Sequence, residues 1–273
     1  MPTVPPEQAR PADRAPHQHR QVAESFGADA ERYDRARPHY PGALVERIVA
    51  ASPGPEVLDV GIGTGIAARQ FQAAGCRVLG VDVDARMAGL ARQRGLEAEV
   101  SAFEAWDPAG RAFDAVIAAQ AWHWVDPVAG AAKAARVLRP GGRLAAFWNV
   151  MQPPPGLADA FAAVYRRVTP DLPFTPWSRP ALDVYSGMFT KAEDGIREAG
   201  AFGEPERWQF GWDQSCTRDE WLDQVPTHGG HSQLPPAQQQ EILAGAGAAI
   251  DAVGGSFTMH YTTVAVTVAR TRD

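Results

Sequence analysis

Between residues 42 and 150, short apolar runs alternate with stretches whose apolar residues recur every three or four positions. In "GALVERIVAAS", Leu44, Val45, Ile48 and Val49 share one helical face. "EVLDV" then reads as a strand, a glycine loop follows, and a helix is predicted from Gly65 to Ala74. "RVLGVDVD" predicts the second strand, and "DARMAGLARQRG" a helix stopped by Gly95. "EAEVSA" predicts a weaker third strand. The end of "FEAWDPAGRAFDAVIAAQ" predicts a fourth, continuous in apolar residues as a strand buried on both faces should be. "PVAGAAKAARVL" is a predicted helix, "RPGG" a turn and "RLAAFWNV" the fifth strand. Strands alternating with helices predict parallel βαβ units and a doubly wound α/β sheet.

After Val150 the alternation stops. "MQPPPG" reads as a linker-like turn, and residues 157–205 as helical or irregular with a Pro-rich middle. The strand pattern returns at "ERWQFGWDQSC". "TRDEWLDQV" predicts a helix opened by a capping box, with Glu220 three residues after Thr217. A further helix is expected over "PPAQQQEILAGAGAAIDAV". The β-branched "FTMHYTTVAVTVAR" predicts a last strand, antiparallel to its neighbours. Seven strands result. The predicted division is a core of residues 22–150 and 207–273, with a helical cap inserted at 151–206. Before it, residues 1–21 are expected to be a disordered tail, with prolines and charges where a signal peptide needs an apolar stretch.

Of the 273 residues, 45% are hydrophobic and 21% charged, which suits a globular protein with a substantial core. A formal net charge of −6 counts against general nucleic-acid binding. No apolar run reaches the length of a membrane span. Cys76 and Cys216 make neither a disulfide framework nor a zinc site, so both are expected to be reduced thiols in a cytoplasmic protein. Oligomeric state is not legible from the sequence.

The chemistry starts at "VLDVGIGTG". Gly61, Gly63 and Gly65 let a loop turn tightly and approach a ligand without Cβ atoms in the way. A dinucleotide fingerprint wants its third glycine five positions after the first, where this chain has Ile66. A phosphate loop wants a Lys-Ser/Thr pair, and none follows. Asp82 closes the second strand, where a carboxylate can accept both hydroxyls of a ribose, of NAD or of another adenosine ligand. Its structural alternatives are a helix N-cap and a solvated loop acid. Asp59 either orients a ligand ammonium through water or braces the loop.

"VLDVGIGTG", "VLGVDVD", "FDAVIAAQAWHWVD" and "VLRPGGRLAAFWN", in this order, resemble the ordered motifs of class I S-adenosylmethionine-dependent methyltransferases. The resemblance covers about residues 22–150; "YDRARPHYP" and the "HW" pair are closest to the trans-aconitate branch. It implies a Rossmann-like methyltransferase fold and S-adenosyl-L-methionine as cofactor. It also implies methyl transfer to a small molecule, with O-methylation, of a carboxylate among others, expected ahead of N- or C-methylation. By resemblance, Gly61, Gly63 and Gly65 approach the methionyl group, Asp82 takes the ribose, Val83 packs on adenine, and Ala102 and Phe103 meet the adenine edge. The family's usual Asp near Ala102 is missing, which leaves the backbone, Glu104 or water to accept the adenine amino group. Gln120 and Ala121 are expected near the methyl group, and an N-terminal lid brings Tyr33 and Arg37 onto the cofactor. The alternatives are an NAD-dependent oxidoreductase and a non-catalytic S-adenosylmethionine-binding protein.

"QAWHWVD" follows the fourth strand, whose C-terminal edge borders the ligand crevice of such a sheet. His123 is the candidate general base, because its pKa lies near neutrality, and Trp122 and Trp124 are candidate substrate walls. In "VPTHGGHSQLP", His228 and His231 are read as a polar substrate loop; no cysteine or carboxylate within it completes a metal set. Arg32, Arg35 and Arg37 suit a carboxylate or a solvated helix face equally well. Trp148, Asn149, Phe174 and Trp177 are expected to line the cap.

Overall fold

The computed structural model describes residues 24–172 and 175–271; the expected 1–21 tail and Phe174 lie outside them. Seven strands form one sheet in the order β3-β2-β1-β4-β5-β7-β6. They are β1 (Glu56–Val60), β2 (Arg77–Asp82), β3 (Glu97–Val100), β4 (Phe113–Ala119), β5 (Leu138–Gln152), β6 (Glu206–Thr217) and β7 (Ser256–Ala269). The first five pair in parallel, and β7 slots between β5 and β6, antiparallel to both. This is the mixed, doubly wound sheet the alternation predicts.

The strand periodicity explains two of the three cores. Leu58, Val60, Leu79, Val81, Val116, Leu144 and Trp148 face one side of the sheet. There they meet α5 (Pro127–Val137) and α7 (Ala181–Ala199), which packs so tightly that a Cβ on Gly195 would lie 2.5 Å from the Pro127 backbone. Their neighbours Val57, Val78, Ala115, Ile117, Ala145 and Phe147 face the other side, against α2 (Gly42–Ala50), α3 (Ile66–Ala73) and α4 (Ala85–Gln93). A one-residue step along each strand switches the layer it serves.

A third core lies beyond the end of the sheet where β5, β6 and β7 overhang. Leu157 and Phe161 of α6 (Pro155–Val168) pack there with Trp221 of α8 (Arg218–Gln224), Ile242 and Ile250 of α9 (Pro236–Asp251), and Phe257 and Tyr261 of β7. The helical layer over the site thus draws on both the segment before β6 and the segment after it. Thr217 and Glu220 make the expected capping box at the start of α8. One expectation is corrected: "RPGG" is not a free turn. Leu138 pairs with Phe113, and the next pair in register is Arg143 with Ala115, so residues 139–142 bulge within β5. Gly141 supplies the left-handed φ of 75° that the bulge requires.

Candidate active site

A cavity of about 790 Å³ opens at the C-terminal ends of β1, β2 and β4. Its floor is the glycine loop. Gly61 (φ 71°) and Gly63 (φ 57°) are left-handed and line the wall; a Cβ on Gly61 would sit 2.4 Å from the Ala121 Cβ. Gly65 (φ 88°) is not in the wall. It caps α3, and a Cβ there would collide with Leu96, so its glycine serves packing.

Asp82, at the end of β2, is fixed by its neighbours. Its Oδ2 accepts from the Gly63 N–H at 2.8 Å and its Oδ1 from the Asp84 N–H at 2.8 Å. Burial pushes its pKa up, and these two N–H groups oppose the shift. Asp84, not Asp82, is the N-cap of α4. Each Asp82 oxygen keeps a lone pair for a ligand. Val83, Ala102, Phe103, Gln120 and Ala121 complete this half of the wall. Gln120 is held in a left-handed conformation (φ 56°), uncommon for a non-glycine residue, with its N–H on the Phe147 carbonyl at 2.8 Å.

Asp59 lies behind the loop, 1% exposed and outside the cavity wall, and neither carboxylate oxygen has a hydrogen-bond partner. Burial, with Asp82 adding to it, raises its pKa to about 8, so it sits there as a neutral acid at pH 7. That placement does not put it in contact with a ligand ammonium.

The fourth strand's exit departs further from expectation. Trp122 is buried against Phe103 in the sheet core, and its indole does not line the cavity. Trp148 and Asn149 are equally buried: an inward-facing position on a central strand leaves no route to a substrate. Asn149 instead ties elements together, donating to the His39 carbonyl at 3.0 Å and accepting from Thr263 at 2.6 Å. Trp148 donates its indole N–H to His123 Nδ1 at 3.1 Å. An indole nitrogen only donates, so Nδ1 is the acceptor and the ring proton sits on Nε2. Burial lowers the His123 pKa to about 4. A proton taken up by Nδ1 would face the indole N–H, and Nε2 is already protonated. His123 therefore lines the cavity as a hydrogen-bond donor, which corrects the expectation of a general base.

The N-terminal segment closes the cavity from above. Gly27 N–H donates to Asp84 at 3.1 Å, and Arg69 pairs with Asp34 at 2.7 Å, fastening α1 (Ala30–Ala36) over the glycine loop. Arg32 and Arg35 both bind Asp223 of α8 and are not in the wall; the pair forms a strap between lid and cap. Phe26, Tyr33 and Arg37 do face the cavity.

The wall then continues through Trp124, Met151, Tyr165, Trp177, Tyr185, His228 and His231. Among the described residues no group of three metal-ligating side chains forms, so the two histidines stand without the rest of a metal set. Both are kept neutral by burial, and neither ring nitrogen of His231 has a partner. Sequence reasoning missed Arg179 and the α7 residues Ala181, Val184, Tyr185 and Met188. The last four were findable, since their spacing of three, four and seven marks a single helical face.

The family model of the methyltransferase domain matches residues 58–146, from β1 into β5. Residues 58–146 thus resemble a methyltransferase domain. The chain is 38% identical over 135 residues to an uncharacterised methyltransferase of Mycobacterium tuberculosis, covering 48% of this chain and 54% of that one. It is 31% identical over 137 residues to a demethylmenaquinone methyltransferase of Tropheryma whipplei, with 45% and 57% covered. The chain thus spans little more than half the length of the curated relatives it matches. A solved protein of Anaeromyxobacter dehalogenans, assigned as a type II methyltransferase, shares the fold with a TM-score of 0.63 at 23% identity, over 87% of this chain and 99% of that one. The cyclase SpnF shares it at 0.55 and 16%, over 95% and 98%. The sheet with its antiparallel last strand is therefore the methyltransferase fold, and the cyclase shows that the fold alone does not name a reaction.

Proposed function

We propose that the chain transfers a methyl group from S-adenosylmethionine to the oxygen of a small molecule, as a cytoplasmic enzyme. The observation that carries this reading is Asp82. Two backbone N–H groups hold its carboxylate at the edge of the glycine loop, and both oxygens keep a lone pair for the ribose hydroxyls. The residues fit the cofactor. Gly61 and Gly63 clear a cradle for the methionyl group, Val83 and Phe103 offer apolar contact to adenine, and no phosphate-binding Lys or helix N-terminal glycine is needed. Bound there, the cofactor supplies an activated methyl group on a sulfonium, and the protein's task is orientation and exclusion of water.

The chain's own residues divide that task. Small-molecule sites occupy roughly 300–1,000 Å³, and this cavity lies high in that range, with room for two molecules side by side. Gln120, Ala121 and His123, at the exit of β4, line the same cavity as the aromatic residues Tyr165, Trp177 and Tyr185. The lid helix α1, fastened to α4 and α8, keeps water from the junction.

The test is thermal denaturation with S-adenosylhomocysteine and, separately, with NADH. A ligand that binds only the folded protein raises Tm as its concentration passes Kd. S-adenosylhomocysteine is expected to raise it and NADH to leave it unchanged. A rise with NADH alone would favour the oxidoreductase reading and retire this one.

A further inference from the structure

The cavity sorts its charges by half. Among the described wall residues the carboxylates are Asp82, at the end of β2, and Glu104, just beyond β3, and Glu104 is engaged by the Asp126 N–H at 2.9 Å. The opposite half carries cations instead. Arg179 stands exposed at the rim. Arg37 comes down from the lid, donates through Nη2 to the Thr227 carbonyl and lies 5.0 Å from the Tyr33 ring. Its Nε is shut off from solvent and donates to nothing, and among the described residues no carboxylate pairs with it. Its charge acts on Tyr185 of α7 and on His228, both in the aromatic half. A guanidinium held in an apolar cavity without a counter-charge is costly, and an anion would relieve that cost.

The same half holds no good proton acceptor. His123 Nδ1 is occupied by Trp148, and burial makes His228 and His231 weak bases. A hydroxyl that arrived protonated would have nowhere to leave its proton. The remaining wall is apolar and aromatic: Met151, Tyr165, Leu172, Trp177, Val184 and Met188.

We propose that the acceptor is an apolar aryl oxyanion, a carboxylate or an acidic phenol already ionised in solution, with Arg37 as its counter-charge, and that ammonium-bearing acceptors are rejected. The proposal rests on the methyltransferase reading, which gives the Asp82 half to the cofactor. It moves Arg37 from the cofactor, where the sequence placed it, to the acceptor. The His123 Nε2–H and Arg37 hold the anion, and the aromatic half holds its ring.

Calorimetric titration of the full chain tests it, with and without saturating S-adenosylhomocysteine. The probes are 2-naphthoate, 4-nitrophenolate, neutral 2-naphthamide and 2-naphthylmethylammonium. Charge-assisted hydrogen bonds correspond to about tenfold or more in affinity, so the two anions are expected to bind at least that much more tightly than the amide and the ammonium. Arg37→Gln should remove that preference, Arg37→Lys should keep most of it, and S-adenosylhomocysteine affinity should not change. Naphthoate binding without nitrophenolate binding narrows the class to carboxylates, and the converse narrows it to phenols. Equal binding of anion, amide and ammonium by the wild-type chain overturns the proposal whatever the variants do. So does an Arg37→Gln variant that loses S-adenosylhomocysteine but keeps the anion preference, since Arg37 would then serve the cofactor. If S-adenosylhomocysteine fails to bind while the anion preference holds, the cofactor assignment falls and the anion site stands.

Discussion

Replacing Asp82 with alanine removes the acceptor on which the cofactor assignment turns. In the folded chain its two oxygens take the Gly63 and Asp84 N–H groups at 2.8 Å each. The variant therefore has two separable effects. Two backbone donors lose a charged partner, and a buried donor left unpaired costs about 1–3 kcal/mol. Solvent entering the open cavity offsets part of this, so a net loss of about 2 kcal/mol is reasonable, equal to a Tm lowered by roughly 4–8 °C for a chain of this size. The second effect is on the ligand. Hydrogen bonds to a charged group contribute about 1.5–3 kcal/mol, so S-adenosylhomocysteine should bind about 10- to 100-fold more weakly. Isothermal titration well below the variant's Tm separates the two. A 2′-deoxy analogue of the ligand makes the comparison specific: wild type should discriminate against it, and Asp82→Ala should not, because the partner of the missing hydroxyl is gone. Unchanged discrimination in the variant would refute the ribose role even if overall affinity fell.

Other outcomes follow from the same geometry. Asp59, with its pKa raised to about 8 by burial, binds a proton in the folded state that the unfolded chain releases near pH 4. Its contribution to stability is thus complete below about pH 4 and lost as pH rises through about 8, so Asp59→Asn should melt higher than wild type at pH 8, with the difference shrinking toward pH 5. Equal melting at pH 8 would show that the carboxyl is not shut off from solvent. His123, with its pKa lowered to about 4, contributes stability above the unfolded value near 6.5 that is lost as pH falls toward 4; its NMR ring signals should stay constant from pH 8 to pH 5. A midpoint near 6.5 would restore it as a candidate base. Gly61→Ala forces a left-handed alanine to within 2.4 Å of the Ala121 Cβ and should lower stability by about 1–3 kcal/mol. It should also abolish S-adenosylhomocysteine binding; calorimetry showing intact binding would remove the loop from the site.

The sheet was legible because its strands carry their signal locally. "EVLDV", "RVLGVD" and "FDAVIAA" each carry a short apolar run because both faces are covered, and the structure places them as three adjacent parallel strands. The "RPGG" bulge was not legible, because Pro-Gly-Gly has the same composition whether it ends a strand or kinks one; only the pairing of Leu138 and Arg143 with β4 decides. The site divides the same way. Gly61, Gly63 and Asp82 lie at strand ends, where sequence position fixes location. Trp122, Trp148 and Asn149 were placed near the cavity on side-chain type, but the central strand β5 buries Trp148 and Asn149 on its two covered faces, and the short turn after β4 packs Trp122 into the core. His123 looked like a base from its ordinary pKa; Trp148, twenty-five residues away, sets its tautomer. The aromatic half is assembled from α1, β5, α6, α7 and the histidine loop, and no single segment of the chain announces that they meet.

The most direct measurement of the central claim is a crystal structure with S-adenosylhomocysteine. The account predicts the ligand along the glycine loop with its ribose hydroxyls on Asp82 and its sulfur turned toward Gln120 and Ala121, leaving the Tyr165–Trp177–Tyr185 half open. Density elsewhere in the cavity, or none at saturating ligand, would contradict it.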